Sequence, residues 1–281
     1  MQIEIIEQSD THMKFIISDV DASFVNTLRR TLLVDIPKMA IEDVDFHLGP
    51  ISDEDKKEYE SISPLFDETV AHRLGMIPIP TDLKLFVPRN QCKCNGEGCP
   101  SCTIMYSLKK MGPCTVFSRD LEPVSSDKKL IIKDANIPIV KLGKGQALLI
   151  YATAQLGTGK EHAKWSVTHG VGYKYYPEVE IDPKKCDKAG GCIKICPKKI
   201  LKKDSKGGIV AEDIEKCTSC KACEEFCKDN NAIKVGHIAD KFIFQFETDG
   251  SLSAKETLKY AFDLLVEKFD ELEKGIENIE D

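Results

Sequence analysis

The sequence predicts an α+β fold: one domain built from both chain ends, interrupted in the middle by two insertions. Three observations lead there. Period-2 apolar alternation followed by a 3.6-residue apolar stripe occurs at the start of the chain and again at its end. The middle carries only short strand-like runs. All twelve cysteines fall in that middle region.

The first strands are read from Ile3 and Ile5, then from Met13, Phe15 and Ile17, each set on one face of a pleated segment. A helix follows: Asp21 caps it, Phe24, Leu28 and Leu32 form its stripe, and Pro37 stops it. MAIEDVDFHL reads as the next strand. Near the other end, Phe242, Phe244 and Phe246 alternate as one strand face, and ETDGS turns the chain. Ser253 and Glu256 form a capping box, and Leu258, Phe262, Leu265, Phe269, Leu272 and Ile276 continue a long amphipathic helix. The expected division is residues 1–45 plus 239–281 as one domain, 46–170 as a first, mainly-β insertion, and 171–238 as a second, cysteine-rich one. KKLIIKD and QALLIYATAQL are the strand-like runs of the first insertion.

The 281 residues carry a net charge of −7. A chain that gripped nucleic-acid phosphates by itself would show a basic surplus, so little or no direct DNA contact is expected. No stretch approaches the roughly 20 apolar residues of a membrane span, and the N-terminus lacks a signal-peptide layout. A cytoplasmic setting is therefore expected. Thiols stay reduced there, so the grouped cysteines read as metal ligands rather than disulfides.

The strongest chemical signal lies at 186–227. Bacterial-type ferredoxins use C-x2-C-x2-C-x3-C-P twice, and the fourth cysteine of each run ligates the other cluster. CTSCKACEEFC has the full spacing in Cys217, Cys220, Cys223 and Cys227, with Lys228 in place of proline. CDKAGGCIKICP has Cys186, Cys192, Cys196 and Pro197, with Ala189 where a cysteine belongs. Exchange of fourth ligands makes Cys217, Cys220, Cys223 and Cys196 a complete [4Fe–4S] set. Cys186, Cys192 and Cys227 remain as an incomplete second site, open to a [3Fe–4S] cluster, a cluster with a labile iron, a disulfide or no group. A zinc site or buried thiols are the bland alternative.

Upstream, CKCNGEGCPSC places Cys92, Cys94, Cys99 and Cys102 in one glycine-containing loop. Four thiolates in a short loop suit tetrahedral zinc, and a reduced, metal-free loop is the alternative. Cys114 stands apart and reads as a small core residue. QLGTGKEH fails the phosphate-loop spacing because Glu161 follows Lys160. No nucleophile–base pair and no paired carboxylates stand out, so no catalytic residues are expected.

Three stretches without cysteine carry a family resemblance. SFVNTLRRTLLVDIPKMAIEDVDF resembles the first helix and following strand of the α-type assembly subunits of cellular RNA polymerases. LFDETVAHRLGMIPI and LGTGKEHAKWSVTHG resemble the start and end of those subunits' second domain, and FIFQFETDGSLSAKETLKYAFDLL completes the pattern. A ferredoxin-like insertion is characteristic of the archaeal branch, and the resemblance covers essentially the whole chain. It implies an α-type dimerisation domain that pairs with subunit L, forming a platform for subunits N and P and the large catalytic subunits. Catalysis then belongs to the large subunits. Eukaryotic relatives carry a zinc loop where 92–102 lies here. Family members differ in cysteine number, and some carry a [3Fe–4S] assignment, so the resemblance admits either type in the first site.

The physics agrees with a partnered helix layer. Two helices with broad apolar stripes exceed what their few strands can cover. Phe24, Leu28 and Leu32 on the first helix and Phe262, Leu265 and Phe269 on the last are the expected dimer interface. The bland reading packs them on their own sheet. A different function class, a ferredoxin-type electron-transfer protein, explains the cysteines and leaves both chain ends unexplained.

Overall fold

The computed structural model describes residues 1–52, 55–125, 127–185 and 190–277. In chain order the elements begin with β1 (Gln2–Gln8), β2 (His12–Ser18), α1 (Ala22–Val34), β3 (Lys38–Phe46), β4 (Pro50–Ser52), β5 (Glu58–Glu60) and α2 (Asp67–Gly75). Next come β6 (Thr103–Met111), β7 (Cys114–Phe117), β8 (Glu122–Pro123), β9 (Pro138–Leu142), β10 (Ala147–Gly157) and β11 (Thr168–Ile181). The cysteine-rich part contains α3 (Gly191–Ile195), β12 (Leu201–Lys203), β13 (Ile209–Ala211) and α4 (Ala222–Phe226). The chain closes with β14 (Ile233–Thr248) and α5 (Ala254–Glu277). The mixture of segregated antiparallel sheets and a few helices is an α+β fold.

Local chemistry sets the helix ends. Asp21 accepts the Phe24 amide at 2.8 Å and the Ser23 hydroxyl at 2.7 Å, which caps α1. Those two donors hold the Asp21 carboxyl below its ordinary range. Ser253 and Glu256 exchange bonds at 2.6 and 3.3 Å, and α5 starts there.

Two compact units make up the chain. The first contains Met1–Glu7, Met13–Thr27 and Gly172–Gln245. Its main sheet has the order β1-β2-β14-β11, so strands from both chain ends pair directly. Phe15 and Phe244 stack at 5.2 Å, and Tyr173 lies against Phe242 and Phe244. Ile3 and Ile5 stay exposed on the edge strand β1. The final strand is longer than the Phe242–Phe246 alternation suggests, because it begins at Ile233 and neighbours β11 in the sheet. The Asp182 amide bonds the Ala232 carbonyl at 2.9 Å at the far end of that pair. The cysteine-rich segment spans the gap between these strand ends, where α3, α4 and the β12–β13 hairpin surround an apolar cluster that includes Ile200, Leu201, Ile209 and Val235.

The second unit contains Gln8–His12, Leu28–Val171 and the chain from Phe246 onward. Its sheet runs β3-β10-β6-β8. β10 pairs antiparallel with both β3 and β6, and a bulge interrupts the β3 register between Thr153 and Ala154. One inner face supplies Ile104, Tyr106, Leu108, Ile150, Ala152 and Ala154 to the core. KKLIIKD does not form a strand. Asp127 accepts the Lys129 amide at 2.9 Å and starts a 3₁₀ turn instead. Leu130 and Ile132 are then buried, with the Leu130 carbonyl accepting the Tyr106 hydroxyl at 2.7 Å.

A buried ion pair, Lys38 Nζ to Asp249 Oδ2 at 2.5 Å, ties the start of β3 to the turn before α5. Helix α5 buries Ala254, Thr257, Ala261 and Leu265. Beyond that point Val266, Phe269, Leu272 and Ile276 are each more than half exposed. No helix among the described residues is long and apolar enough to cross a membrane.

Candidate metal centres

The first group of thiols is built by one loop. A 3₁₀ turn at Arg89–Gln91 leads into Cys92, and Cys102 sits at the entry to β6. Successive tight turns, Cys92 carbonyl to Asn95 amide, Cys94 carbonyl to Glu97 amide and Cys99 carbonyl to Cys102 amide, fold the sulfurs inward. Asn95, Gly96 and Gly98 have φ of 53°, 86° and 95°. Asn and Gly are the residues that enter this left-handed region at least cost.

The sulfurs of Cys92 and Cys99 lie 3.5 Å apart, those of Cys94 and Cys102 3.6 Å, and those of Cys99 and Cys102 3.9 Å. A zinc–sulfur bond of about 2.3 Å in a tetrahedron gives a sulfur–sulfur edge of about 3.8 Å. A disulfide would need about 2.05 Å. The four thiols can therefore hold a single metal ion. Backbone amides, first that of Gly98, pull the Cys94 thiol down to about 6, whereas burial pushes the Cys102 thiol up to about 12.

Arg89 holds this loop against the sheet. Its guanidinium donates to the Gly96 carbonyl at 2.7 Å and to Gln155 Oε1 on β10 at 3.1 Å, and it faces Asp43 on β3 at 3.6 Å. No spacing rule pointed to Arg89. Only the folded loop shows that its fork reaches a carbonyl between the ligands.

The second group is assembled from separate segments. Cys196 ends α3, Cys217 follows a 3₁₀ turn, Cys220 precedes α4 and Cys223 lies within it. Their side chains line one cavity, closed by Ile200 and Val235. Cys196, Cys217 and Cys223 are buried and Cys220 is exposed. Burial pushes the Cys223 thiol up. Among the described residues, the 92–102 loop is the one group of three or more such ligands with all donor atoms within 4.8 Å. The four thiols around the second cavity therefore stand wider than one tetrahedral ion draws its ligands.

Cys192 and Cys227 belong to the surrounding apolar cluster and do not line that cavity. Cys186 and Ala189, the rest of the incomplete set, lie outside the described residues. Cys114 is half-buried, with its thiol facing the Met111 carbonyl. In the phosphate-loop look-alike, Glu161 accepts the Thr158 amide at 3.0 Å and Lys160 faces Asp35 at 3.5 Å.

A second contact escaped sequence reading. Lys174 on β11 donates to the Glu215 carbonyl at 2.8 Å and to the Cys217 carbonyl at 2.6 Å. It fastens the loop that presents Cys217 to the main sheet of its unit. With the partners 43 positions apart in sequence, no local pattern marks the pair.

The expected interface residues divide. Leu28, Leu32 and Leu265 are buried within the chain itself. Phe24 and Phe262 are half-buried, and Phe269 is 59% exposed.

Comparison with known proteins adds a decisive observation. The family described as the RNA polymerase Rpb3/Rpb11 dimerisation domain matches residues 14–269. The chain is 46% identical to DNA-directed RNA polymerase subunit Rpo3 of Picrophilus torridus, covering 98% of this chain and 99% of that protein. The chain belongs to the Rpo3 family of RNA polymerase subunits. The Rpo3 proteins of Thermoplasma volcanium, at 46% identity, and Methanosarcina acetivorans, at 40%, match with equally full coverage: 96% of this chain and 97% of the first, and 97% of both chains for the second. The family match over residues 14–269 takes in segments from both chain ends. The cysteine geometry is a separate property, read from the thiols themselves.

Proposed function

We propose that this chain is the non-catalytic assembly-platform subunit of an archaeal DNA-directed RNA polymerase, acting in the cytoplasm. It pairs with subunit L, and the heterodimer receives subunits N and P and the large catalytic subunits. Residues 1–45 with 239–281 form the dimerising domain, 46–170 the first insertion and 171–238 the ferredoxin-like insertion. The observation that carries this reading is the near full-length relation to Rpo3 subunits. The apolar stripe on α5 supports it: Phe269 and its neighbours Val266, Leu272 and Ile276 offer the exposed apolar face an obligate partner needs. Half-buried Phe262 extends the candidate contact along α5, half-buried Phe24 is the candidate on α1, and Leu28, Leu32 and Leu265 are buried within the chain.

Within this role Cys196, Cys217, Cys220 and Cys223 hold a [4Fe–4S] cluster. Their wide placement around one cavity supports a multi-iron cage over a single ion. Cys92, Cys94, Cys99 and Cys102 hold zinc, supported by sulfur separations of 3.5–3.9 Å. Both groups contribute folding energy to the segments that bind them. Catalysis and DNA contact lie with other subunits.

Co-purification tests the platform. The native chain is expected to recover subunit L and the large subunits in equal amounts, and Phe269→Asp to lose subunit L while keeping its metal. Normal recovery of subunit L with Phe269→Asp overturns the α5 interface. Recovery with a redox enzyme instead of polymerase subunits favours the electron carrier.

A further inference from the structure

A cleft of about 500 Å³ opens in the first unit, beside the cavity lined by Cys196, Cys217, Cys220 and Cys223. Its walls come from β2, β11 and β14 on one side and from the loops around Lys198 and Glu215–Thr218 on the other. Four lysines converge on it, Lys14, Lys174, Lys198 and Lys216, and the acidic side chain in the lining is that of Glu215. This local surplus runs against the chain's net charge of −7. Tyr173 and Ile243 add apolar surface, and a Cβ placed on Gly172 would meet open space.

The lysines are available to different degrees. Lys174 is held by the Glu215 and Cys217 carbonyls and forms a fixed wall. Lys14 faces Glu7 at 3.4 Å, and Lys216 faces Asp213 at 2.7 Å. Neither acid lines the cleft, and both are more than half exposed, so these pairs are weak and exchange readily with another carboxylate. No ion pair engages Lys198 among the described residues.

We propose that this cleft receives a carboxylate-bearing segment of a neighbouring polymerase subunit. The inference rests on the assembly role proposed above. The shape favours a peptide over nucleic acid. A polyanion is tracked by a long basic stripe, whereas this is a short concave site with an aromatic wall, in an acidic chain. Because the Cys217 loop forms one wall and Lys174 ties that loop to β11, the cleft keeps its shape only while the loop is in place.

Zero-length carbodiimide cross-linking of the purified whole polymerase, read by mass spectrometry, tests this. The reagent joins amines only to carboxylates already in contact. The expected result is Lys198 or Lys14 joined to an Asp or Glu of another subunit. In polymerase carrying Lys14→Glu and Lys198→Glu, titration of the neighbouring subunit's acidic peptide should show affinity lower by about tenfold at unchanged iron content. If iron also falls, Lys14→Glu alone carries the test. Links confined to Lys14–Glu7 and Lys216–Asp213 overturn the proposal, as does photo-cross-linking of the cleft to DNA or RNA. A chain that fails to co-purify with polymerase subunits overturns the assembly role itself.

Discussion

The 92–102 loop and the cysteines around Cys217 each bring four thiols together, by opposite means. The loop closes on itself through consecutive tight turns, so its sulfurs lie 3.5–3.9 Å apart from local backbone geometry alone. The second set draws Cys196 from one segment and Cys217, Cys220 and Cys223 from another, around a cavity whose walls include Ile200 and Val235. A local site depends on its own turns and one clamp, Arg89. An assembled site depends on packing between α3, α4 and the strand ends, and on Lys174. The comparison teaches that the same ligand chemistry is robust to distant change in one case and exposed to it in the other.

The largest effect that would sharpen this contrast is on iron. Cys217→Ser is expected to remove all iron from the complete set while leaving zinc in place, measured as iron, sulfide and zinc per chain. Loss of both metals together would break the separation of the sites. Next, Ala189→Cys restores the ferredoxin spacing and should bring the chain to about eight irons, two complete clusters, after anaerobic reconstitution. Unchanged iron and an unchanged EPR spectrum would show that the second site cannot be completed by one ligand.

Smaller effects probe the clamp and the protons. Arg89→Ala leaves all four loop thiols intact but frees the Gly96 carbonyl, so zinc affinity should fall by about 10- to 100-fold in a chelator competition. Equal affinity would show that the turns suffice. The smallest contrast is in pH. The Cys94 thiol, drawn down to about 6, is already thiolate at pH 7, whereas burial holds Cys223 as a thiol above its ordinary range. Zinc uptake must also deprotonate Cys102, which burial pushes up to about 12, so zinc and iron uptake by the metal-free chain should both slow as the pH falls from about 8 to about 7. The sign follows from stability as well. The depressed Cys94 pKa favours the folded loop fully above the ordinary thiol range, and that contribution declines as pH falls through about 6.

Much of this was legible in the residues. The Asp21 cap, the Ser253–Glu256 box, the alternation at Met13–Ile17 and the Phe242–Phe246 face are short-range signals, and the backbone obeys them. KKLIIKD was not legible, because its apolar residues serve burial while Asp127 turns the backbone. The helix stripes were read correctly as apolar but not as to which residue meets what. Periodicity places Leu28 and Leu32 on one face of α1 with Phe24, and Leu265 on one face of α5 with Phe262 and Phe269, and only packing buries the three leucines and leaves Phe269 exposed.

The sequence by itself determined the α+β class, the pairing of the two chain ends and which cysteines belong to which run. All of these follow from spacing along the chain, where a period of two or 3.6 residues, or a fixed ligand interval, is itself the physical constraint. The tertiary structure alone decided that Arg89 grips the cysteine loop, that Lys174 fastens the Cys217 carbonyl to the sheet, and that lysines from four segments meet in one cleft. Those contacts join residues whose separation in sequence carries no period, so they exist only once the strands have fixed the distances between them.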